Sequence, residues 1–202
     1  MNIVLFTLIG YLCGSLPFSV WLTKWVLGVD VRQVGEDQNP GSANVFKAAG
    51  KPKWWLGMSA LLLDGFKGLI PVAVAYYNFN VTGWALVPVA LAPVVGHAYS
   101  IFLHFRGGKA VATTFGIWTA LTVFRAPLVL GGLFILLSLV LAGGAWAVIL
   151  GMLGLLIYLL LTHAEGWLLA IWAGNMLILI LKHSIELRKP VQLNPRIRRL
   201  IN

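Results

Sequence analysis

The chain has 202 residues, of which 59% are hydrophobic and 10% are charged, and its mean hydropathy is +0.88. These are too few polar side chains to cover a soluble domain of this size, so the composition predicts an all-α integral membrane protein and excludes a soluble catalytic domain. The net charge of +9 arises from cations that flank apolar segments, which points to anionic lipid or an anionic substrate and not to nucleic acid.

The first predicted helix covers residues 2–26. Its sequence Gly14-Ser15-Leu16-Pro17 predicts a kink, because proline removes a backbone donor, and we interpret Ser15 as repairing the hydrogen bonds that Pro17 breaks. Cys13 is the only cysteine, which excludes an intrachain disulfide and a cysteine-based zinc site, and we interpret it as a packing residue. No other kind of metal site is visible in the sequence.

A glycine- and amide-rich loop follows this helix, with the sequence Gly35-Glu36-Asp37-Gln38-Asn39-Pro40-Gly41-Ser42-Ala43-Asn44. Ser42 or Asn44 is predicted to cap a helix start, and Lys47 lies about one turn further on. Glycines let a backbone approach a ligand closely, and the exposed N–H groups of a helix start favour phosphate. The loop is therefore a predicted anion site, to which Lys47 adds a positive charge.

The second predicted helix, residues 54–77, carries two opposite charges inside the bilayer. Asp64 and Lys67 are three residues apart, so they share a face and can pair. Asp64 lies roughly 15 Å from the start of the helix, at a depth where an unpaired charge costs several kcal/mol. Two interpretations stay open: a structural ion pair between helices, or the floor of an active site.

The third predicted helix, residues 83–103, leads into the most informative stretch of the chain, Phe105-Arg106-Gly107-Gly108-Lys109-Ala110-Val111-Ala112. Its two glycines allow close backbone approach, and its arginine and lysine add positive charge where the next helix begins, so it is a second predicted anion loop. His97 precedes the loop by about two and a half turns. Taken alone, such a histidine is more often packed against a carbonyl than catalytic.

Four more helices are predicted, over residues 110–124, 126–141, 145–161 and 166–182. All four are shorter than the roughly 20 residues that a perpendicular span needs. The first two, which are the shortest, could form one broken helix or two short ones, and Pro127, just past a polar break, favours two. His183 closes the last helix, where it suits the negative end of the helix dipole. We therefore predict a single membrane-embedded domain over residues 1–202, with a basic tail from about residue 183.

Seven spans place the termini on opposite sides of the membrane, and the distribution of lysine and arginine then selects the orientation. Arg125 lies on one side, Lys67 lies within a span, and thirteen cations lie on the other side. This bias predicts an outside N-terminus, with both glycine loops and the basic tail in the cytoplasm. The thirteen cations, several of them interpreted only as topology signals, are Lys24, Arg32, Lys47, Lys51, Lys53, Arg106, Lys109, Lys182, Arg188, Lys189, Arg196, Arg198 and Arg199.

Four motif blocks occur in order: Gly14-Ser15-Leu16-Pro17-Phe18, Asp30-Val31-Arg32 through Asn39-Pro40-Gly41-Ser42-Ala43-Asn44-Val45 to Gly50, Leu63-Asp64-Gly65-Phe66-Lys67-Gly68, and Gly96-His97 followed by Phe105-Arg106-Gly107-Gly108-Lys109-Ala110-Val111-Ala112-Thr113. Together they resemble the bacterial acyl-phosphate:glycerol-3-phosphate acyltransferase family (PlsY). The likeness extends from Tyr11 to about Gly116, with a weaker echo near His183. Histidine followed four residues later by aspartate, the mark of the other large class of glycerolipid acyltransferases, is absent from the sequence.

The resemblance implies transfer of a fatty acyl group from acyl phosphate to the 1-hydroxyl of glycerol 3-phosphate, without a cofactor. The products are lysophosphatidic acid and phosphate, in the first acylation of phospholipid synthesis. It also implies seven membrane spans in the bacterial cell (inner) membrane with the active site at the cytoplasmic face, in agreement with the charge bias. The implied partners are the two substrates and the lipid bilayer, with an acyl-phosphate-forming enzyme as a candidate protein partner.

The resemblance also assigns roles to residues of this chain. Catalytic roles fall to Lys109, to Asp37 and to His183, which is expected to bind and orient the acceptor. Residues expected to bind substrate or phosphate are Arg32, Asn39, Gly41, Ser42, Asn44, Lys47, His97, Gly107 and Gly108. Residues expected to support the site are Ser15, Asp64, Lys67 and Glu186.

Three positions depart from the family pattern. The family sequence Gly-Ser-Gly-Asn is replaced by Gly35-Glu36-Asp37-Gln38-Asn39, one residue longer, so Asp37 replaces the functional serine. Lys47 replaces an arginine, and Glu186 replaces an asparagine three residues after the last histidine. The added carboxylates oppose phosphate binding unless Lys47, Lys109 or Arg32 neutralises them.

Three hypotheses follow from these departures. In the first, the chain acylates glycerol 3-phosphate with Asp37 as a base or hydrogen-bond acceptor for the hydroxyl. In the second, the acceptor is another polyol or an amine, for which an added carboxylate is useful. In the third, the chain is a non-catalytic membrane protein that binds or transports an anion or lipid, although seven spans without repeat symmetry do not favour transport.

Overall fold

The computed structural model describes residues 2–35, 37–195 and 197–198. Glu36 of the first glycine loop and the tail cations Arg196 and Arg199 lie outside the described residues. The described chain is mostly helical, with two very short strands, β1 (Leu141–Ala142) and β2 (Gln192–Leu193). Its α-helices are α1 (Ile3–Ser15), α2 (Phe18–Leu27), α3 (Ser42–Ala49), α4 (Trp54–Ala73), α5 (Leu86–Ala98), α6 (Val111–Thr122), α7 (Arg125–Val140), α8 (Gly144–Leu161), α9 (Gly166–Lys182) and α10 (Ser184–Leu187).

The apolar helices confirm the prediction of a helical membrane protein. Four helical stretches of the described chain are long and apolar enough to cross a bilayer, namely Ile3–Leu27, Trp54–Asn78, Gly83–Leu103 and Gly144–Leu161. Val111–Thr122, Arg125–Val140 and Gly166–Lys182 are apolar but shorter. Each of the seven predicted segments is thus helical in the structure, and α6 and α7 are separate helices, as Pro127 indicated.

The first predicted helix is broken rather than continuous. α1 ends at Ser15 and α2 begins at Phe18, because Pro17 has no backbone N–H to continue the ladder. The N–H of Leu16 donates to the carbonyl of Cys13 at 3.2 Å and satisfies the acceptor that Pro17 leaves. The Ser15 hydroxyl donates to the carbonyl of Tyr11 at 2.8 Å, so the interpretation of Ser15 as the repairing residue is wrong.

The helix α3 begins at the end of the first glycine loop, between α2 and α4. Its N-cap is Gly41, with no side-chain cap, which corrects the prediction that Ser42 or Asn44 caps this helix. The amide of Asn44 bonds to other parts of the loop, as described below.

Side-chain and strand contacts show which helix ends lie together. At one end of the bundle, the rings of Phe6 and Phe79 pack with centroids 4.9 Å apart, and the hydroxyl of Tyr77 donates to the carbonyl of Ala120 at 2.9 Å. At the other end, β1 follows α7 and pairs antiparallel with β2 in the C-terminal tail. The tail is therefore fixed to the α7–α8 turn.

A buried polar bridge connects α6 to α9. The indole N–H of Trp118 donates to Oδ1 of Asn175 at 3.1 Å, and Nδ2 of Asn175 donates to Oγ1 of Thr114 at 2.9 Å. All three side chains are buried, so each hydrogen bond satisfies a group that water cannot reach. This bridge holds α9, whose end carries His183, against the helix that begins just after Lys109.

Candidate active site

An ion pair joins the two glycine loops. Nζ of Lys109, in the loop before α6, lies 2.6 Å from Oδ2 of Asp37, in the loop before α3. Asn44 supports this carboxylate, because its Nδ2 donates to Oδ1 of Asp37 at 3.0 Å and to the carbonyl of Asn39 at 2.9 Å. The two loops, which the sequence places about seventy residues apart, therefore form one site.

The end of α9 and the following helix α10 supply a third side to this site. Oε1 of Glu186 lies 2.6 Å from Nζ of Lys109, so one ammonium is shared by two carboxylates. The three groups together carry a charge of −1 when all are ionised. Lys109 is about one quarter exposed and its two partners about one third, so the cluster is accessible to a polar ligand.

The ion pairs shift the pKa values of both partners in the direction of the charged forms. Burial favours the neutral carboxyl of Asp37, but hydrogen bonds from Lys109 and Asn44 outweigh it and lower the pKa to about 2. Burial likewise favours a neutral amine at Lys109, but Asp37 and Glu186 outweigh it and raise its pKa. A carboxylate this acidic is a weak base, so the geometry fits Asp37 as a hydrogen-bond acceptor and not as the base of the first hypothesis.

His183 lies beside this cluster at the end of α9 and is buried. Its Nδ1 lies 2.8 Å from the carbonyl of Leu179, an arrangement that requires a proton on Nδ1 and leaves Nε2 free to accept one. Burial lowers the pKa of the imidazole, and the nearby Lys109 charge lowers it further, against the opposing effect of Leu179 and Glu186. His183 is therefore held as a neutral imidazole with one nitrogen available as a base.

The Gly107–Gly108 turn rests directly on His97. The N–H of Gly108 donates to the carbonyl of His97 at 2.9 Å. A Cβ on Gly107 would collide with the backbone carbonyl of His97, and a Cβ on Gly108 would collide with Nε2 of the same residue. The structure thus places His97 beneath the turn. It is a packed residue, as its position in the sequence, taken alone, predicts.

A buried polar cluster lies below His97. Nζ of Lys67 is 2.7 Å from Oδ1 of Asp64 and donates to the carbonyl of Leu16 at 2.9 Å, at the break between α1 and α2. Ser19 donates to Oδ2 of Asp64 at 3.2 Å. The ion pair therefore joins α4 to the kink, and both charges are compensated inside the bilayer.

A cavity of about 10 Å³ lies above the Asp64–Lys67 pair, close to the room that one water molecule needs. Pro40 of the first loop and Gly108 of the second both line it, together with Ser15 and Ser100. Nδ1 of His97 also borders this cavity and has no hydrogen-bond partner among the described residues. The two interpretations of the ion pair are thus compatible, since it joins helices and also forms the floor under both loops.

A second groove, between α1 and α4, is apolar. It measures about 330 Å³ and is lined by Leu5, Phe6, Ile9, Cys13, Ile70, Pro71, Val74 and Phe79. On α1 the groove begins at Cys13, two residues before Ser15 of the polar cavity.

Several predicted site residues do not join the Lys109 cluster. The guanidinium of Arg32 binds Asp30 through two hydrogen bonds of 3.0 and 2.6 Å, so among the three cations considered for neutralising Asp37 it is Lys109, and not Arg32, that pairs with this carboxylate. Lys47 is exposed on the last turn of α3 and forms no hydrogen bond or ion pair within the described part of the chain. Gly41 packs against the amide of Asn39, and Ser42 forms no side-chain hydrogen bond to the cluster among the described residues.

Sequence reasoning missed two residues that the structure connects to the site. Lys182 donates to the carbonyls of Ala98 and Gly107 at 3.0 Å each. From the sequence it was interpreted only as a topology signal, although its position next to His183 indicated that it lies near the site. Ser19 lies just beyond the first motif block, and no pattern singled it out.

Comparison with known proteins agrees with this architecture. The sequence model described as "Glycerol-3-phosphate acyltransferase" matches residues 4–192. Among curated relatives, glycerol-3-phosphate acyltransferase 1 of Thermotoga maritima is 40% identical over 94% of this chain and 97% of its own length. The glycerol-3-phosphate acyltransferase of Fusobacterium nucleatum is 32% identical over 91% of this chain and 92% of its own.

Two crystal structures share the fold. The glycerol 3-phosphate form of PlsY (YgiH), an integral membrane glycerol 3-phosphate acyltransferase, superposes with a TM-score of 0.81 at 27% identity, over 99% of each chain. The lysophosphatidic acid form of PlsY superposes with a TM-score of 0.77 at 26% identity, over 92% of this chain and 90% of the other. With a family match over nearly the whole sequence and relatives of this similarity, the chain belongs to the glycerol-3-phosphate acyltransferase family of integral membrane proteins.

Proposed function

We propose that this protein transfers a fatty acyl group from acyl phosphate to the 1-hydroxyl of glycerol 3-phosphate, without a cofactor. The observation that carries the proposal is the position of Lys109, which joins both glycine loops to the segment that holds His183. A cation of this kind neutralises charge on phosphate, whether on the donor or the acceptor. Family membership supports the same reaction.

The donor is already activated, so the protein needs no covalent intermediate of its own. The acceptor hydroxyl oxygen attacks the carbonyl carbon, an ester bond forms, and the bond from that carbon to the phosphate oxygen breaks. Phosphate leaves with the electron pair, and the hydroxyl proton passes to Nε2 of His183, the nitrogen that the Leu179 contact leaves free. Lys109 stabilises the departing phosphate.

The apolar groove suits the acyl chain of the donor. A polar cavity lies beneath the loops, and the apolar groove between α1 and α4 starts close to it. The phosphate end of the donor would lie at the loops, with its acyl chain along α1 and α4.

The site is proposed to face the cytoplasm, in a domain that crosses the bacterial inner membrane seven times with its N-terminus outside. Both glycine loops, α10 and the tail strand lie at the end of the bundle that carries most of the cations. Arg125, the exception, starts α7 at the opposite end.

A second candidate acceptor is an amine- or polyol-bearing molecule. The observation that favours it is the excess negative charge around Lys109, where Asp37 and Glu186 supply two carboxylates to one ammonium. Two carboxylates suit an acceptor that brings a positive charge or several hydroxyl donors better than they suit a phosphate dianion.

In the deciding experiment, the protein is purified, placed in lipid and supplied with palmitoyl phosphate as the acyl donor. Glycerol 3-phosphate, glycerol and an aminoalcohol are tested as acceptors in separate reactions. Acyl ester or amide formation and phosphate release are both measured. We expect lysophosphatidic acid as the product, with its rate reduced about a hundredfold or more in Lys109→Ala, since one preorganised charge contributes on that order. Lys51→Ala, which removes an exposed lysine outside the site, is the matched control.

Each result decides between the candidates. Transfer to an acceptor other than glycerol 3-phosphate supports the second candidate. Phosphate release that is equal in Lys109→Ala and the unmodified protein contradicts the assigned site, and no transfer to any acceptor contradicts the proposed function.

A further inference from the structure

The Gly107–Gly108 turn must be held in place for Lys109 to reach Asp37 and Glu186. Two hydrogen bonds hold the turn, one to α5 and one from a side chain of α9. From below, the turn is fixed by the hydrogen bond from Gly108 to the carbonyl of His97. From the side, Nζ of Lys182 donates to the carbonyl of Gly107 at 3.0 Å.

The same ammonium also completes the end of α5. The last carbonyls of a helix have no N–H partner within the helix, and a cation at that end is favoured by the dipole. Lys182 donates to one such carbonyl, that of Ala98, at 3.0 Å. Its Nζ also lies 5.1 Å from the ring centroid of Tyr99, within cation–π range, so three neighbours fix its position.

Lys182 stands directly before His183 on α9. Glu186, one turn further on, pairs with Lys109, which in turn follows the glycine turn that Lys182 holds. The chain of contacts therefore closes on itself, from the end of α9 through Gly107 to Lys109 and back through Glu186. A displacement of the turn would move Lys109 relative to His183.

From this geometry we infer that Lys182 is a positioning residue, which ties the glycine turn to the end of α9 and so sets the place of Lys109 opposite His183. It does not touch substrate in this role. The inference rests on the proposed function for its kinetic readout, but the geometry of the phosphate site can also be tested by binding alone. A cation that served only as a topology signal would need none of these three contacts.

The test compares Lys182→Met, which keeps the apolar stem and removes the ammonium, with Lys182→Arg and with Lys51→Met as the matched control. In the palmitoyl phosphate assay we expect Lys182→Met to raise KM for glycerol 3-phosphate about tenfold and to change kcat less. Lys182→Arg keeps the charge and should recover at least half of the loss in kcat/KM, while Lys51→Met should match the unmodified protein.

Titration calorimetry with inorganic phosphate gives a readout that does not depend on turnover. Lys182→Met should weaken phosphate binding about tenfold while the Lys51→Met control is unchanged. If Lys182→Met lowers only the melting temperature, with KM and phosphate affinity unaltered, the inference is overturned. If the unmodified protein binds phosphate but transfers no acyl group, the proposed function fails. The positioning role of Lys182 is then still decided by the effect of Lys182→Met on phosphate affinity.

Discussion

At the scale of single residues, the unusual feature of this site is that its principal cation is already neutralised. Lys109 is shared by Asp37 and Glu186, at positions where the family resemblance leads one to expect serine and asparagine. A phosphate that binds Lys109 must displace or share these contacts. The two carboxylates therefore compete with substrate phosphate unless they bind the acceptor themselves.

Neutral replacements separate these possibilities. Asp37→Asn and Glu186→Gln keep size but remove one competing charge each, so KM for glycerol 3-phosphate should fall about two- to fivefold per substitution, as expected for partly exposed ion pairs worth roughly 0.2–1 kcal/mol. Steady-state kinetics at fixed palmitoyl phosphate measure this, with Glu165→Gln in the α8–α9 loop as the control. A rise in KM would instead mean that the carboxylates hold the acceptor.

A second residue-scale prediction concerns pH. Burial and the Lys109 charge lower the pKa of His183 from its ordinary value of 6.5, and the base is the neutral form. Activity should therefore be constant through neutral pH and decline only on acidification below 6.5, as His183 becomes protonated. In Glu186→Gln, loss of the neighbouring anion should move this decline to still lower pH. A profile of kcat/KM against pH that does not shift in Glu186→Gln would contradict His183 as the base.

At the scale of elements, the order of the helices was predictable from apolar periodicity. The breaks within them were only partly predictable. Pro17 signalled a distortion, yet only the structure shows α1 and α2 as separate helices joined by Leu16 and Pro17. The kink exposes the carbonyl of Leu16 to Lys67, a contact between residues 51 positions apart that no local pattern encodes. The same limit explains why Arg32, near the first loop in sequence, binds Asp30 instead of Asp37.

The packing of the glycine turn gives a prediction at this scale. A Cβ at Gly107 would overlap the rigid backbone carbonyl of His97, whereas a Cβ at Gly108 would meet the ring, which can rotate. Gly107→Ala should therefore reduce kcat/KM more than Gly108→Ala, with roughly ten- to hundredfold losses that reflect a displaced Lys109.

The matched control for these variants is Gly132→Ala in α7, where no atom lies within 4 Å of the added methyl. Alanine in a helix interior is favoured over glycine by about 0.5–1 kcal/mol, so this variant should keep full activity and melt at the same or a higher temperature. Equal losses in Gly107→Ala and Gly132→Ala would show a general intolerance of substitution and not a specific turn geometry.

At the scale of the whole molecule, the site is made by segments that are distant in sequence. The loop before α3, the loop before α6 and the start of α10 converge only because the apolar helices between them return the chain to the same end of the bundle. The residue types of the site were visible in the sequence, because each anion loop has its own glycines and lysine. Their arrangement around a shared ammonium was not, since it depends on how α4, α5 and α9 pack.

The proposed cytoplasmic site implies a membrane topology that can be tested directly. In a Cys13→Ala background, Lys51→Cys and Arg125→Cys are introduced singly and treated with a membrane-impermeant maleimide in spheroplasts. Because cations are retained in the cytoplasm, Arg125→Cys should react in intact spheroplasts and Lys51→Cys only after permeabilisation. His163→Cys, in the loop between α8 and α9, should behave like Arg125→Cys. If Lys51→Cys and Arg125→Cys react from the same face, the chain does not cross the membrane an odd number of times between α3 and α7, and the proposed cytoplasmic site is refuted.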